Sequence, residues 1–214
     1  MLFFRRFYLT AFLLVGLFIS LFFSNTFAAS VEYAQENPIY IGLLTGYGDT
    51  DWERLVSQDD ATAEATPTSA SGTGVLYGFF TGYQPFQYVA FEAQYIHFAD
   101  SDLTFEPGNA SGFEDTTSKT DYYALLMKLL VPVSDSWRVF GDIGVAYVQR
   151  SDDIANISDT RPTFGFGADY SIAAHWFTTA SFEYTPGTGE AEADASAKYI
   201  PYVYSVQVGL AYRF

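Results

Sequence analysis

From Tyr202 to Phe214 the chain alternates without a break. Tyr202, Tyr204, Val206, Val208, Leu210, Tyr212 and Phe214 are bulky and apolar, whereas Ser205, Gln207, Gly209, Ala211 and Arg213 between them are small or polar. Successive side chains of a strand leave on opposite faces, so this segment predicts a strand with one bulky apolar face. A soluble sandwich strand can carry the same alternation. Here, though, the apolar face is aromatic at both ends and the opposite face holds Gly and Ala.

Seven more segments show strand character. With the terminal one they fall near residues 39–49, 73–84, 87–98, 120–132, 137–149, 162–171, 175–185 and 201–214. The gaps between them alternate: long at 50–72, 99–119, 150–161 and 186–200, and tight around Pro85, Ser134 and Ile172. Long connections at one end and short turns at the other describe a membrane β-barrel with external loops and periplasmic turns. The expected fold is therefore all-β, an eight-stranded antiparallel up-and-down transmembrane β-barrel over residues 39–214. A helical reading fails, because the segments keep period 2 and are rich in Gly, Tyr, Phe and Val.

Parity assigns the faces. Val89, Phe91, Ala93 and Tyr95 share one face, opposite Glu92 and Gln94. Tyr123, Leu125, Met127, Leu129 and Val131 oppose Lys128. Val139, Ile143, Val145 and Tyr147 oppose Arg138 and Asp142; Phe164, Phe166, Ala168 and Tyr170 oppose Asp169; Trp176, Ala180, Phe182 and Tyr184 oppose Glu183. Charges fall on the face that carries the glycines. In a soluble barrel that face would be outside. A bulky face flanked by Tyr and Trp instead suits lipid, where a midplane charge costs about 2–4 kcal/mol. Phe80, Phe98, Phe140 and Phe177 are expected to point inward, which a small barrel filled with side chains tolerates.

Composition supports this reading. Aromatic residues make up 19% of the 214 residues and charged residues only 16%, too few for a fully solvated surface. There is no Cys, which excludes disulfides, Cys-ligated zinc and thiol nucleophiles. Ten basic residues face 25 acidic ones, so no basic face is available for nucleic acid. Arg5 and Arg6, an apolar run from Phe7 to Phe23 and the small residues of "SNTFAAS" have the layout of a secretory signal peptide. Cleavage is expected after Ala28, with residues 29–38 a short periplasmic segment; an uncleaved anchor is the alternative. Beyond that leader no run of about 18 apolar residues occurs, so no spanning helix is expected.

The stretch "GYQPFQYVAFEAQYIHF" (Gly82 to Phe98) resembles the second hairpin of the OmpA-like transmembrane domain. "LLMKLLVPV" followed by "WRVFGDIGVAY" is similar to that family's next hairpin, as is "GFGADY" ahead of "FEYT". The resemblance covers about 39–214 and rests on joint order and spacing. It implies interior salt bridges between neighbouring strands, with Glu92 and Lys128 matching the family's strand-three carboxylate and strand-four lysine. Arg138, Asp142, Asp169, Glu183 and Arg213 are further inward charges whose pairing the sequence leaves open. Tyr212 and Phe214 resemble the assembly signal that marks the last strand for the outer-membrane insertion machinery. The family's peptidoglycan-binding domain is not expected here.

Chemistry is sought next. The two histidines are His97, near the outer end of a strand beside Asp100, Ser101 and Asp102, and His175 at a periplasmic turn. His97 with a neighbouring Ser and Asp could activate a hydroxyl, as a lipid A-modifying outer-membrane enzyme would need, but both histidines read better as interfacial strand-end residues, and no enzyme, cofactor or metal centre is expected. An eight-stranded interior is only wide enough for side chains, so bridged charges of both signs should plug it, with a narrow pore as the rival reading. Most acidic residues sit in the four long loops, among them Asp49, Asp51, Asp59, Asp60, Asp100, Asp102, Glu114, Asp115, Asp152, Asp153, Asp159, Glu190 and Glu192. Such runs read as solvated segments; divalent cations bridging them to lipopolysaccharide are the functional alternative. The expected role is structural or surface-interacting in a monomeric outer-membrane protein. Its expected partners are lipid and lipopolysaccharide, the insertion machinery, and host or phage ligands at the loops.

Overall fold

A computed structural model of the protein describes residues 38–52, 67–105, 114–187 and 199–214. The leader read at 1–28, residues 29–37 behind it, and the middles of the first, second and fourth connections lie outside the described residues. Among the described residues ten strands are formed: β1 (Ile39–Asp51), β2 (Ser69–Ser71), β3 (Thr73–Phe86), β4 (Val89–His97), β5 (Ser101–Thr104), β6 (Thr116–Pro132), β7 (Trp137–Ser151), β8 (Asn156–Ser171), β9 (Trp176–Thr185) and β10 (Tyr202–Arg213). Eight of them close into a cylinder. Each of β1, β3, β4, β6, β7, β8, β9 and β10 pairs antiparallel with the next, and β10 returns to β1. The closing register runs from Tyr40 opposite Arg213 to Asp51 opposite Tyr202. Closure leaves no wall edge to meet lipid, where an unpaired backbone group would cost several kcal/mol.

The alternation read from the sequence is the alternation of burial. Glu92, Lys128, Asp142, Asp169 and Glu183 are buried inside, while Leu125 and Phe166 are 64% exposed on the outside. The four phenylalanines expected to point inward do so, each at most 5% exposed. Space for the inner aromatics comes from glycines across the wall. A Cβ on Gly42 would strike the Phe80 ring, and one on Gly82 would strike Tyr40. Tyr40, Phe80 and Phe177 then pack edge to face, with centroids 6.1 and 5.4 Å apart.

Two features depart from the sequence reading. The gap at 150–161 is not a long loop. β7 continues to Ser151 and β8 starts at Asn156, leaving a four-residue turn at 152–155. Asp152 makes this turn, its Oδ1 accepting the amides of Ile154 at 3.0 Å and Ala155 at 2.8 Å. A short polar side chain that captures nearby amides stabilises a tight reversal. The second departure is that β2 and β5 extend the wall outward, β2 pairing with β5 and β5 with β6. The near half of the second long loop is therefore partly sheet.

Candidate functional site in the barrel interior

Three polar layers fill the interior. Nearest the short turns, Arg138 Nη2 lies 3.0 Å from Asp169 Oδ2. Arg138 and Arg213 both donate to Gln84 Oε1, at 3.1 and 3.2 Å. Both guanidinium groups stand over the Phe177 ring, 5.8 and 5.2 Å from its centroid. Two cations therefore share one amide oxygen and one ring, and Arg138 pairs in addition with the Asp169 carboxylate. Planar guanidinium suits such shared geometry better than ammonium does.

At mid-height Lys128 Nζ sits 3.2 and 3.1 Å from the two oxygens of Glu92 and 4.0 Å above the Phe140 ring. Glu92 also accepts from Tyr40 Oη at 2.7 Å and from Gln94 Nε2 at 2.9 Å. The same Gln94 nitrogen reaches Glu183 Oε1 at 3.0 Å across the lumen. Asp142, the register partner of Lys128 on β7, is buried with both carboxylate oxygens lacking a hydrogen-bond partner. The expected inward charges are thus all inside or at the inner rim, but they are not evenly bridged. Glu92 with Lys128 and Asp169 with Arg138 form ion pairs; Asp142 and Glu183 stand outside those pairs.

Above that layer the lumen turns apolar, with Leu76, Ile96, Phe98, Ala146 and Val148 each 1% exposed or less. Tyr122, Thr163 and Thr185 are its polar members, linked hydroxyl to hydroxyl at 2.9 Å between Tyr122 and Thr163 and between Thr163 and Thr185. The outer mouth is then sealed by groups that sequence reasoning did not single out. Arg150 is fully buried, its Nε donating to Asp152 Oδ2 at 2.5 Å and its Nη1 to the Tyr199 carbonyl at 3.0 Å. It lies 4.7 Å from the Trp52 ring, which packs 5.3 Å from Tyr199. Continuing the parity of β7 two residues past Val148 would have placed Arg150 inside.

At the outer girdle His97 points outward. Its Nδ1 lies 2.8 Å from Asp121 Oδ1, which also accepts from Tyr95 Oη at 2.8 Å. Its Nε2 is 3.9 Å from Asp100. Ser101, the serine nearest in sequence, is buried and lies 2.7 Å from Thr50 Oγ1 instead. Three carboxylates of the outer rim are engaged by threonines: Thr73 donates to Asp49 at 2.9 Å, Thr117 to Asp102 at 3.1 Å and Thr116 to Asp153 at 3.1 Å. At the opposite rim Tyr212 contacts the rings of His175, Trp176 and Phe214 at 5.6, 5.1 and 5.3 Å. The Phe214 amide donates to the Ile39 carbonyl at 3.1 Å.

A closed cylinder that is apolar outside, charged within, and ringed by tyrosine at its outer end and by tyrosine and tryptophan at the other is a transmembrane β-barrel. Its sequence matches the family described as the outer membrane protein beta-barrel domain over residues 16–214, and the chain belongs to that family. Its place is the bacterial outer membrane, as the resemblance to small eight-stranded barrels implied. Among solved structures, AlkL in lipid bilayers superposes with a TM-score of 0.54 at 14% identity, covering 89% of this chain and 95% of that one. The outer membrane protein OprG of Pseudomonas aeruginosa gives 0.53 at 15% identity, over 85% and 98% of the two chains. Neisserial surface protein A gives 0.53 at 11%, over 82% and 97%. At such identities the likeness is one of fold. No curated protein sequence matches the chain.

Proposed function

We propose that the protein works physically rather than catalytically, as a plugged outer-membrane cylinder that supports envelope integrity and offers its outer rim to other surfaces. The observation that carries this reading is the double seal. Arg138, Arg213, Asp169 and Gln84 fill the lumen near the short turns, and Arg150, Trp52 and Tyr199 fill it at the outer mouth. An eight-stranded wall has no room for a water channel beside these side chains. Single-channel recording of the purified protein in a planar bilayer tests the reading. A silent membrane is expected, with folding verified by heat-shifted gel mobility. Discrete, reproducible current steps would move the protein to the narrow-pore class.

The partners follow from the surfaces. Lipid meets the apolar band, lipopolysaccharide meets the outer girdle, and host or phage ligands would meet the rim above it. The chain is taken to be a monomer, delivered by the leader at 1–28. Tyr212 and Phe214 are assigned to recognition by the insertion machinery, on their resemblance to the terminal signal of such barrels. Phe214→Ala is expected to lower the yield of heat-modifiable protein in outer-membrane fractions while leaving refolding into detergent intact. Equal loss in both assays would make Phe214 a packing residue only.

A further inference from the structure

The mid-height layer is unbalanced. Glu92, Asp142 and Glu183 are three buried carboxylates, and Lys128 is the one cation among them. The charges that bear on Glu183 are Asp142, Glu92 and Lys128. Lys128 is committed to Glu92, its Nζ 3.1 and 3.2 Å from the two Glu92 oxygens. An uncompensated charge in such surroundings is costly, and removal from water leaves little to offset it.

The unpartnered atoms of this layer are all acceptors. They are both oxygens of Asp142, Oε2 of Glu183 and Oε1 of Gln94. The Gln94 assignment is fixed by its surroundings, because its nitrogen must face the two carboxylates of Glu92 and Glu183. Its oxygen is left with no donor, on a side chain 7% exposed. Register brings the acids together. Asp142 lies opposite Gly165, and Gly165 lies opposite Glu183, so one strand separates the two carboxylates. A Cβ on Gly165 would collide with both oxygens of Asp142. The Asp142 carboxylate therefore leans across β8 toward Glu183, into space that only glycine leaves open.

We propose that Asp142, Glu183 and Gln94 form an internal site for one small monovalent cation of the sodium class, at mid-height in the lumen. Hard carboxylate and amide oxygens suit such an ion. Two carboxylates and one amide oxygen are too few donors for a divalent ion stripped of its water, and suit a monovalent ion that keeps some of its own. The site goes beyond the plugged-barrel reading and does not depend on it, since a conducting barrel could hold the same ion.

The test is the urea midpoint of the purified full-length protein in phospholipid vesicles, with sodium replaced stepwise by choline at constant ionic strength. A ligand bound only by the folded state raises stability with its concentration. The wild-type midpoint is expected to climb with sodium, and Asp142→Asn and Glu183→Gln are each expected to abolish that climb. Both changes are nearly isosteric, and heat-shifted gel mobility identifies folded variants. A wild-type midpoint indifferent to sodium overturns the proposal, as does a sodium response that survives in both variants. If one variant fails to fold, the other decides in the same way.

Discussion

Lys128→Met is expected to cost the barrel about 3–5 kcal/mol, the usual penalty for leaving one half of a buried pair without its partner. Lys128 is 5% exposed, and its ammonium faces both Glu92 oxygens. Removing it leaves Glu92 with hydrogen bonds from Tyr40 and Gln94 and no counter-charge. The measurement is the urea midpoint in phospholipid vesicles. The companion Lys128→Met with Glu92→Gln removes both charges, and most of the lost stability should return. A double variant as unstable as the single one would show that Lys128 acts through packing on Phe140 rather than through charge.

The second large effect concerns the outer face. Ile143 is 48% exposed and lies between Trp137 and Tyr147, the girdle residues of β7. Ile143→Arg therefore places a charge near the middle of the apolar band and is expected to cost about 2–4 kcal/mol. Gln149→Arg, on the same face but above Tyr147, should cost about 0–1 kcal/mol. The contrast between the two is the informative quantity, since a water-facing surface would accept both. Equal, small effects in the vesicle assay would mean that the apolar face does not lie in lipid.

What the sequence disclosed follows one physical line. Inside the membrane the two faces of a strand meet opposite media, so period 2 is sharp, and Glu92, Lys128, Asp142, Asp169 and Glu183, which parity sets opposite the apolar face, are buried. Beyond Tyr147 both faces can be polar, and the signal fades. Residues 150–161 thus read as a loop although they continue the sheet around the turn at Asp152. Pairing was illegible for a different reason. Lys128 stands opposite Ala90 on β4, yet its ammonium reaches Glu92 two residues along. Long side chains settle such diagonals in three dimensions, and alternation carries no record of them. The seal by Arg150, Trp52 and Tyr199 joins the outer ends of β1 and β7 to the segment before β10, and only closure brings those together.

The strands differ in length: β6, β7 and β8 run 17, 15 and 16 residues, while β9 runs 10. One side of the wall consequently stands taller than the other. The added height is hydrogen-bonded sheet, as in the pairing of Lys119 with Ser151 and of Gln149 with Ser158. An antibody arriving there meets residues from three strands held in register. Its footprint is discontinuous in sequence, so short peptides copied from the turn at 152–155 are poor mimics of that surface, and whole folded barrels are the immunogen to use.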